Sequence, residues 1–299
     1  MALRVTPGMM HNNLMRNINH NLTRLDQDQY MLSTGRKLNK PSDDPAGITY
    51  SLRYRSELAM NAQYDKNIAT AKSQLDHTDT VLGQLNDLVQ RVQELTTQAL
   101  NGTNPQSALD AINKEVSQIY DQAVAIGNDQ LNGKYIFNGQ MTDKQPYDAA
   151  NADKQDTDTQ KFYMQFSAGV EIPINITGDE VFGSSKDSDN LFKILKDIQS
   201  ALTAPSNSSN LSAAAAQLQS RYDKIINIRS EVGARTNRVD LIDQRNQDLT
   251  QNLTELQSNV EDADIAETIM NFNVNQNVYQ AALSTGAKII QPTLIDYLR

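Results

Sequence analysis

Apolar side chains recur at alternating three- and four-residue steps through two long stretches of the chain. The first runs Ile68, Ala71, Leu75, Thr78, Leu82, Leu85, Val89, Val92, Thr96 and Ala99. The second runs Ile225, Ile228, Val232, Arg235, Val239, Ile242, Asn246, Leu249, Leu253, Leu256, Val260 and Ala263. A heptad of this kind puts one narrow apolar stripe along an α-helix, and that stripe needs a partner helix to cover it. The two stretches lie toward opposite ends of the chain. They predict a mainly α fold, an elongated antiparallel helical bundle or coiled coil in which the second half folds back on the first. Asn246 and Arg235 interrupt the second stripe between apolar neighbours, where a polar residue is expected to set register.

The punctuation divides the rest. A first helix is expected over about 9–34, with Leu14, Ile18, Leu22, Leu25 and Leu32 on one face and Gly35 as its C-terminal cap. Asn39 to Gly47 reads as a turn through Pro41, Ser42, Asp43, Asp44 and Pro45, in which Asp44 caps a new helix whose first residue is Pro45. Nothing breaks that helix before Asn101-Gly102, which gives it roughly 80 Å at about 1.5 Å per residue. A third helix reaches about residue 128. Asn132-Gly133 and Asn138-Gly139 then mark turns around Lys134 to Phe137, and alternating runs at 162–166 and 171–176 complete a small β-rich insert with Pro173 confined to an edge or a bulge. Helical patterning returns at Leu191 and, after a polar linker from Pro205 to Asn210, enters the long second stripe. This breaks near 258–264, and a last amphipathic stretch ends at Pro292. The expected regions are 1–44, an N-terminal assembly helix; 45–130, the first half of a rod; 131–188, the insert; 189–259, the second half of the rod; and 260–299, a C-terminal assembly helix.

Composition narrows the function. Of 299 residues 38% are hydrophobic and 6% aromatic, with no Trp, which suits a rod that buries a stripe and argues against a large aromatic pocket. A net charge of -9 and a pI near 4.9 argue against a nucleic-acid surface. There is no cysteine, so thiol catalysis, cysteine metal sites and disulfides are excluded. No apolar run is long enough to cross a bilayer, and the N-terminus lacks the apolar core of a cleavable secretory signal. On that evidence the chain reads as cytoplasmic, unless it is exported by a route that leaves its signal in place.

Candidate chemistry is thin. His11, His20 and His77 have no second histidine at ligand spacing and read as helix-surface positions. The acidic cluster Glu261, Asp262, Asp264 and Glu267 lacks the spacing of a calcium loop and is better explained as a helix start capped by Asp264. Asp43 and Asp44, lying between two prolines, are turn and cap residues before they are an acid–base pair. No nucleophile motif or phosphate-binding glycine loop is present, so the expectation is a non-enzyme without cofactor or metal. The terminal segments raise a different question. Each carries an apolar face that the central rod does not need, so the termini are expected either to pair with each other or to stay partly disordered until they meet other copies.

The run from Leu32 through Ser33-Thr34-Gly35-Arg36-Lys37-Leu38-Asn39-Lys40-Pro41-Ser42-Asp43-Asp44-Pro45 to Gly47 resembles the N-terminal signature of the bacterial flagellin superfamily. Val260 to Glu267 and Ala281 to Pro292 are similar to that superfamily's C-terminal end. Within it the choice lies between filament subunits and the branch that joins hook to filament. Asn132 to Gly139, Gly178 to Phe182 and the compact insert are more similar to the junction branch. The resemblance implies a secreted extracellular structural subunit, exported by the flagellar type III route and assembled as a ring of copies at the hook–filament junction. Its implied partners are hook-associated protein 1, flagellin, its own neighbouring copies and an export chaperone, with no nucleic acid and no membrane insertion. The residues expected at the assembly interface are Leu14, Ile18, Leu22 and Leu25 at one end and Ile269, Phe272, Leu283 and Ile289 at the other. The competing expectations are a flagellin filament subunit and, in another class, an intracellular coiled-coil adaptor.

Overall fold

The computed structural model describes residues 7–101, 104–203 and 208–290, apart from the side chains of 7, 208 and 288–290. Among them are the helices α1 (Pro7–Thr34), α2 (Pro45–Leu100), α3 (Gln106–Gly127), α4 (Gly178–Phe182), α5 (Leu191–Thr203), α6 (Ser208–Glu261) and α7 (Ile265–Ile290). The strands are β1 (Gln130–Leu131), β2 (Lys134–Tyr135), β3 (Tyr163–Ser167) and β4 (Val170–Pro173). No helix among the described residues is long and apolar enough to cross a membrane. The residues group into two compact units, Asn61–Asp248 and the terminal unit of residues up to Met60 together with those from Leu249 onward. The linker expected from Pro205 lies largely outside the described residues, as does Pro292.

In the unit Asn61–Asp248 the heptad of α2 does what its spacing predicts. From Ile68 to Thr96 every third or fourth residue of the stripe is buried, and Ala99 packs at its end. α6 runs antiparallel beside it. Lys72 Nζ meets Asp240 Oδ1 at 2.6 Å, Arg229 Nε donates to Asp79 Oδ1 at 2.9 Å, and Gln90 Nε2 reaches the Tyr222 hydroxyl at 2.6 Å. Ile225, Val232 and Val239 of α6 are sealed in the seam. α3 and α5 enlarge this core, with Gln106 Nε2 bonded to the Leu202 carbonyl and Tyr120 edge-on to Phe192. Burial of a stripe on this scale is what makes long helices stable in water, where propensity alone is marginal.

The two polar seam residues divide. Asn246 Nδ2 donates to Asp65 Oδ1 and to the Asn61 carbonyl at 3.3 Å, a contact between α6 and α2 that holds register as expected. Arg235 instead leaves the α2 partner and reaches the insert, where Nη1 donates to the carbonyls of Pro173 and Asn175, each at 3.3 Å. The register expected of Arg235 is thus replaced by an anchoring role, because its long side chain spans the gap to β4.

The insert holds two antiparallel hairpins, β1–β2 and β3–β4. The first turns at Asn132 and Gly133, both at positive φ (54° and 76°), as the Asn-Gly dipeptide predicts. Only Lys134 and Tyr135 of the expected 134–137 strand pair, since Ile136 and Phe137 turn inward. Pro173 closes the β3–β4 ladder opposite Tyr163, an end position where its missing N–H costs no internal bond. The core here is aromatic. Tyr147 lies 5.4 Å from Phe182 and 4.9 Å from Phe192 between ring centroids, and Phe137 stands edge-on to Phe182 at 5.4 Å. At the insert's exit Arg221, 1% exposed, donates from Nε to the Asp189 carbonyl and from Nη2 to Asp189 Oδ1, both at 2.7 Å.

Candidate assembly surface

In the terminal unit α1 and α7 pack against each other. Their less exposed positions trace matching heptads. On α1 these are Leu14, Ile18, Asn21, Leu25, Asp28 and Leu32; on α7 they are Thr268, Phe272, Asn275, Tyr279, Ala282 and Gly286. The pair is antiparallel. Asn275 Nδ2 donates to Asp28 Oδ2 at 2.7 Å, while at the other end Leu14 covers Gly286 so closely that a Cβ there would stand 2.8 Å from Leu14 Cδ2. The seam is therefore rich in polar and small residues.

Other large apolar residues lie outside the seam. At 100° per residue Leu22 and Met15 share one flank of α1, and Ile265, Ile269 and Leu283 share a flank of α7 beside the seam. Met270, Val274 and Val278 form a further stripe on the side of α7 away from α1. All eight are exposed, Leu22 at 49%, Ile269 and Leu283 at 46%. A helix that is apolar on more than one side is the pattern of a helix buried on more than one side.

The expected interface residues therefore separate. Leu14, Ile18, Leu25 and Phe272 are half-buried between α1 and α7, whereas Leu22, Ile269 and Leu283 face outward. Leu22 does not share the face of Leu14 and Ile18 because the alternating step passes through Asn21. Ile289 belongs to the last turn of α7, and its side chain lies outside the described ones.

The motif turn has the expected geometry. Asp44 Oδ1 accepts the Ala46 N–H at 3.0 Å, capping α2 with Pro45 in its first position. Asp43 Oδ2 accepts the N–H groups of Lys40 at 2.8 Å and Asn39 at 3.1 Å, which hold its carboxyl below the usual range. Ser42 is exposed at the turn's apex. Asp264 caps α7 by accepting the N–H groups of Ala266 and Glu267 at 2.9 and 3.1 Å.

These two capped turns are joined. Lys37 N donates to the Glu261 carbonyl at 2.8 Å, Ala263 N donates to the Gly35 carbonyl at 3.0 Å, and Lys37 Nζ donates to the Asn259 carbonyl at 2.8 Å. Gly35 adopts a φ of 70°, the left-handed geometry that lets α1 stop there. Beneath this joint lies the Glu261 side chain, 2% exposed. Arg55 grips it with Nε and Nη2, each at 2.7 Å; Ser51 Oγ donates to it, Gln257 Nε2 donates at 3.1 Å, and Arg36 Nε stands 3.6 Å away. The Arg55 bonds, helped by Ser51 and Gln257, outweigh burial and bring its pKa down to about 2.

Sequence reasoning grouped Glu261 with the helix-start acids, and the structure corrects that: Glu261 ends α6 and is buried. The available signal was Arg36 in one terminal motif and Glu261 in the other, opposite charges in segments expected to meet.

Elsewhere the chemistry is spare. A groove of ≈ 1020 Å³ between α2 and the insert is lined by residues such as Thr70, Gln74, Tyr135, Phe162 and Met164, with Lys134 its one charged residue. No group of three or more acidic, histidine or cysteine residues among the described ones could hold a metal ion. His77 pairs with Asp129 at 2.7 Å, both half-buried.

Residues 5–142 match the family model for the bacterial flagellin N-terminal helical region, and residues 215–298 match that for the bacterial flagellin C-terminal helical region. The chain is similar to flagellar hook-associated protein 3 of Escherichia coli strain K12, 27% identical across 94% of this chain and 95% of that protein. Among solved structures it is similar to FlgL of Bacillus cereus, with 25% identity and a TM-score of 0.59 over 69% of this chain and 99% of that one. It also shares its fold with the flagellar junction protein FlgL of Legionella pneumophila, with 13% identity and a TM-score of 0.58 over 73% and 100% of the two chains.

Proposed function

The chain belongs to the bacterial flagellin family, and from that premise we propose that it is the structural subunit joining hook to filament, held in place by coiled-coil packing of its terminal helices. The observation that carries this reading is the terminal pair itself. α7 is covered by α1 along a seam that mixes Phe272 and leucines with polar and small residues, while Ile265, Ile269, Met270, Val274, Val278 and Leu283 face outward, so much of what α7 has to bury is left for neighbouring subunits. The near-complete alignment with a hook-associated protein 3 supports the junction over the filament.

On this reading copies of the chain meet around a ring, hook-associated protein 1 lies on the hook side and flagellin on the filament side. Export precedes assembly, with a chaperone covering the apolar flanks until secretion. The family is structural, and the chain acts by packing rather than by catalysis.

The test is complementation of a swimming bacterium deleted for its own junction protein. The unaltered gene should restore attached filaments that the deletion strain sheds into the medium. Ile269→Asp with Leu283→Asp should leave the secreted subunit folded, because both side chains are exposed beside the α1–α7 seam rather than in it, and should abolish that restoration. Attached filaments in the double mutant would refute the outward flank as the interface. Filaments composed mainly of this chain would instead make it a filament subunit.

A further inference from the structure

We infer that Glu261 is the positioning residue of the terminal unit: as a carboxylate it fixes the angle at which α7 leaves α6, and so the direction in which the Ile269–Leu283 flank is presented. This rests on the proposed assembly role. The connection between α6 and α7 is only Asp262, Ala263 and Asp264, and its own backbone tie to the turn after α1 is the Ala263 N–H on the Gly35 carbonyl at 3.0 Å. One residue ties it to three segments. The Glu261 carbonyl accepts the N–H groups of Lys37 and Leu38 in the turn after α1, at 2.8 and 3.4 Å. Its carboxylate takes Ser51 and Arg55 of α2, and Gln257 one turn back on α6 completes the set.

Every group facing this carboxylate is a donor. Ser51 and Arg55 come from α2, Gln257 from α6 and Arg36 from the turn. The neighbouring acids are turned to other work: Asp262 accepts from Ser258 at 2.5 Å, and Asp264 caps α7. The arrangement therefore selects for charge rather than for shape. A glutamine has nearly the same outline, but whichever way its amide turned, its NH₂ would oppose Arg55, which bonds both oxygens, donor against donor. Arg55 itself is 40% exposed and can turn to water, so losing its partner frees the joint without stranding a buried cation.

The absence of cysteine allows a direct measurement on the full-length chain. Ser56→Cys on α2 and Gln276→Cys on α7, both exposed, carry nitroxide labels whose distance distribution is read by pulsed electron paramagnetic resonance. The labelled parent should give a narrow distribution. Adding Glu261→Gln should broaden it about twofold or more as the joint samples several angles, with helical circular dichroism unchanged. Lowering the pH from about 5 to about 2, through the folded pKa of Glu261, should broaden the parent and leave the already broad Glu261→Gln protein as it is. A distribution as narrow in Glu261→Gln as in the parent overturns the inference. So does broadening accompanied by loss of helical signal, which would make Glu261 a stabilising residue only, or an identical pH response in both proteins. In the complementation strain Glu261→Gln should fail to hold filaments, and full restoration by it overturns the inference as well. If the unaltered gene itself restores nothing, the junction reading fails, while the distance measurement, which needs no flagellum, still decides the role of Glu261.

Discussion

Arg221→Met should be a strongly damaging single change in the unit Asn61–Asp248, and its size follows from what it abandons. Arg221 is 1% exposed and holds Asp189 through the backbone carbonyl and Oδ1, both at 2.7 Å, with a third bond to the Glu180 carbonyl at 3.3 Å. These bonds pin the segment that returns from the insert into α5. Burial alone would raise the Asp189 carboxyl; the hydrogen bond from Lys224 and the charges of Arg221 and Lys224 outweigh it and lower it. Removing one member of a buried pair costs about 3–5 kcal/mol, because the other charge is left without its partner. Lys224 still reaches Asp189 Oδ2 at 2.8 Å, which places the loss at the lower end, about 3 kcal/mol. For a unit of this size that is a fall in Tm of roughly 6–12 °C. Urea unfolding followed by far-ultraviolet circular dichroism measures it directly. The double mutant Arg221→Met with Asp189→Leu should lose less than Arg221→Met alone, since it removes the stranded carboxylate together with its partner. A single-mutant loss under about 1 kcal/mol, or a double mutant no better than the single, would refute the reasoning.

Gly47→Ala should fray the start of α2: a Cβ there stands 2.5 Å from Asp44 Oδ2 and 2.9 Å from Leu38 Cδ1, displacing the carboxylate that caps the helix. The expected cost is about 1–3 kcal/mol, seen as faster amide hydrogen exchange at 46–50, and unchanged protection there would contradict it. The terminal unit should also be acid-labile. Glu261 has its folded pKa depressed from 4.5 to about 2, so its contribution is complete above the unfolded value and is lost as pH falls through the folded one. That amounts to about 3 kcal/mol by linkage, and a parent and Glu261→Gln pair whose urea midpoints run parallel from about pH 5 to about pH 2.5 would rule it out.

The regular parts of the fold were legible because a repeat needs only local spacing. The α2 stripe from Ile68 to Thr96 is buried as its heptad predicts, and the caps at Asp44 and Asp264 follow from residue type and position. The α6 stripe is legible for less of its length. Leu253 is buried, but Leu249 and Leu256, on the same predicted seam, are 44% and 45% exposed. A single facing helix covers a strip narrower than the apolar stripe, whereas in the unit Asn61–Asp248 α3 and α5 help to enclose it. What spacing could not reveal are the buried charges. Arg221 and Glu261 both sit on α6, where a helical pattern assigns charge to the solvent face; only partners far away in sequence, Asp189 and Arg55, make their burial favourable. For Arg235, whose place in the stripe was legible, the hidden part is its partner, the carbonyls beyond it in the insert. For the interface residues the period was right but the phase was ambiguous. Asn21 and Leu22 are adjacent, and taking the leucine as the seam residue turns the face of α1 by about 100°.

That phase has an energetic consequence for assembly. With Asn21, Asp28, Thr268 and Asn275 in the α1–α7 seam, the intramolecular pair gains less from burial than a leucine seam would. Meanwhile Ile265, Ile269, Val274, Val278 and Leu283 remain roughly half exposed. Completing the burial of one such side chain is worth about 1 kcal/mol, half of the value for full burial, so the five together supply about 5 kcal/mol. Association of two free bodies costs an estimated 4–15 kcal/mol in lost freedom before side-chain ordering is counted. A contact with one neighbour through the flank alone engages only Ile265, Ile269 and Leu283, about 3 kcal/mol, which falls short of that cost, and the subunit has little drive to pair in solution. A site offering neighbours on both sides at once buries the flank and the far stripe of α7 for a single loss of freedom, so binding there becomes favourable while free pairing does not. A partly polar seam inside the pair and apolar residues outside it thus favour addition to a preformed template over spontaneous polymerisation, as the proposed junction role requires.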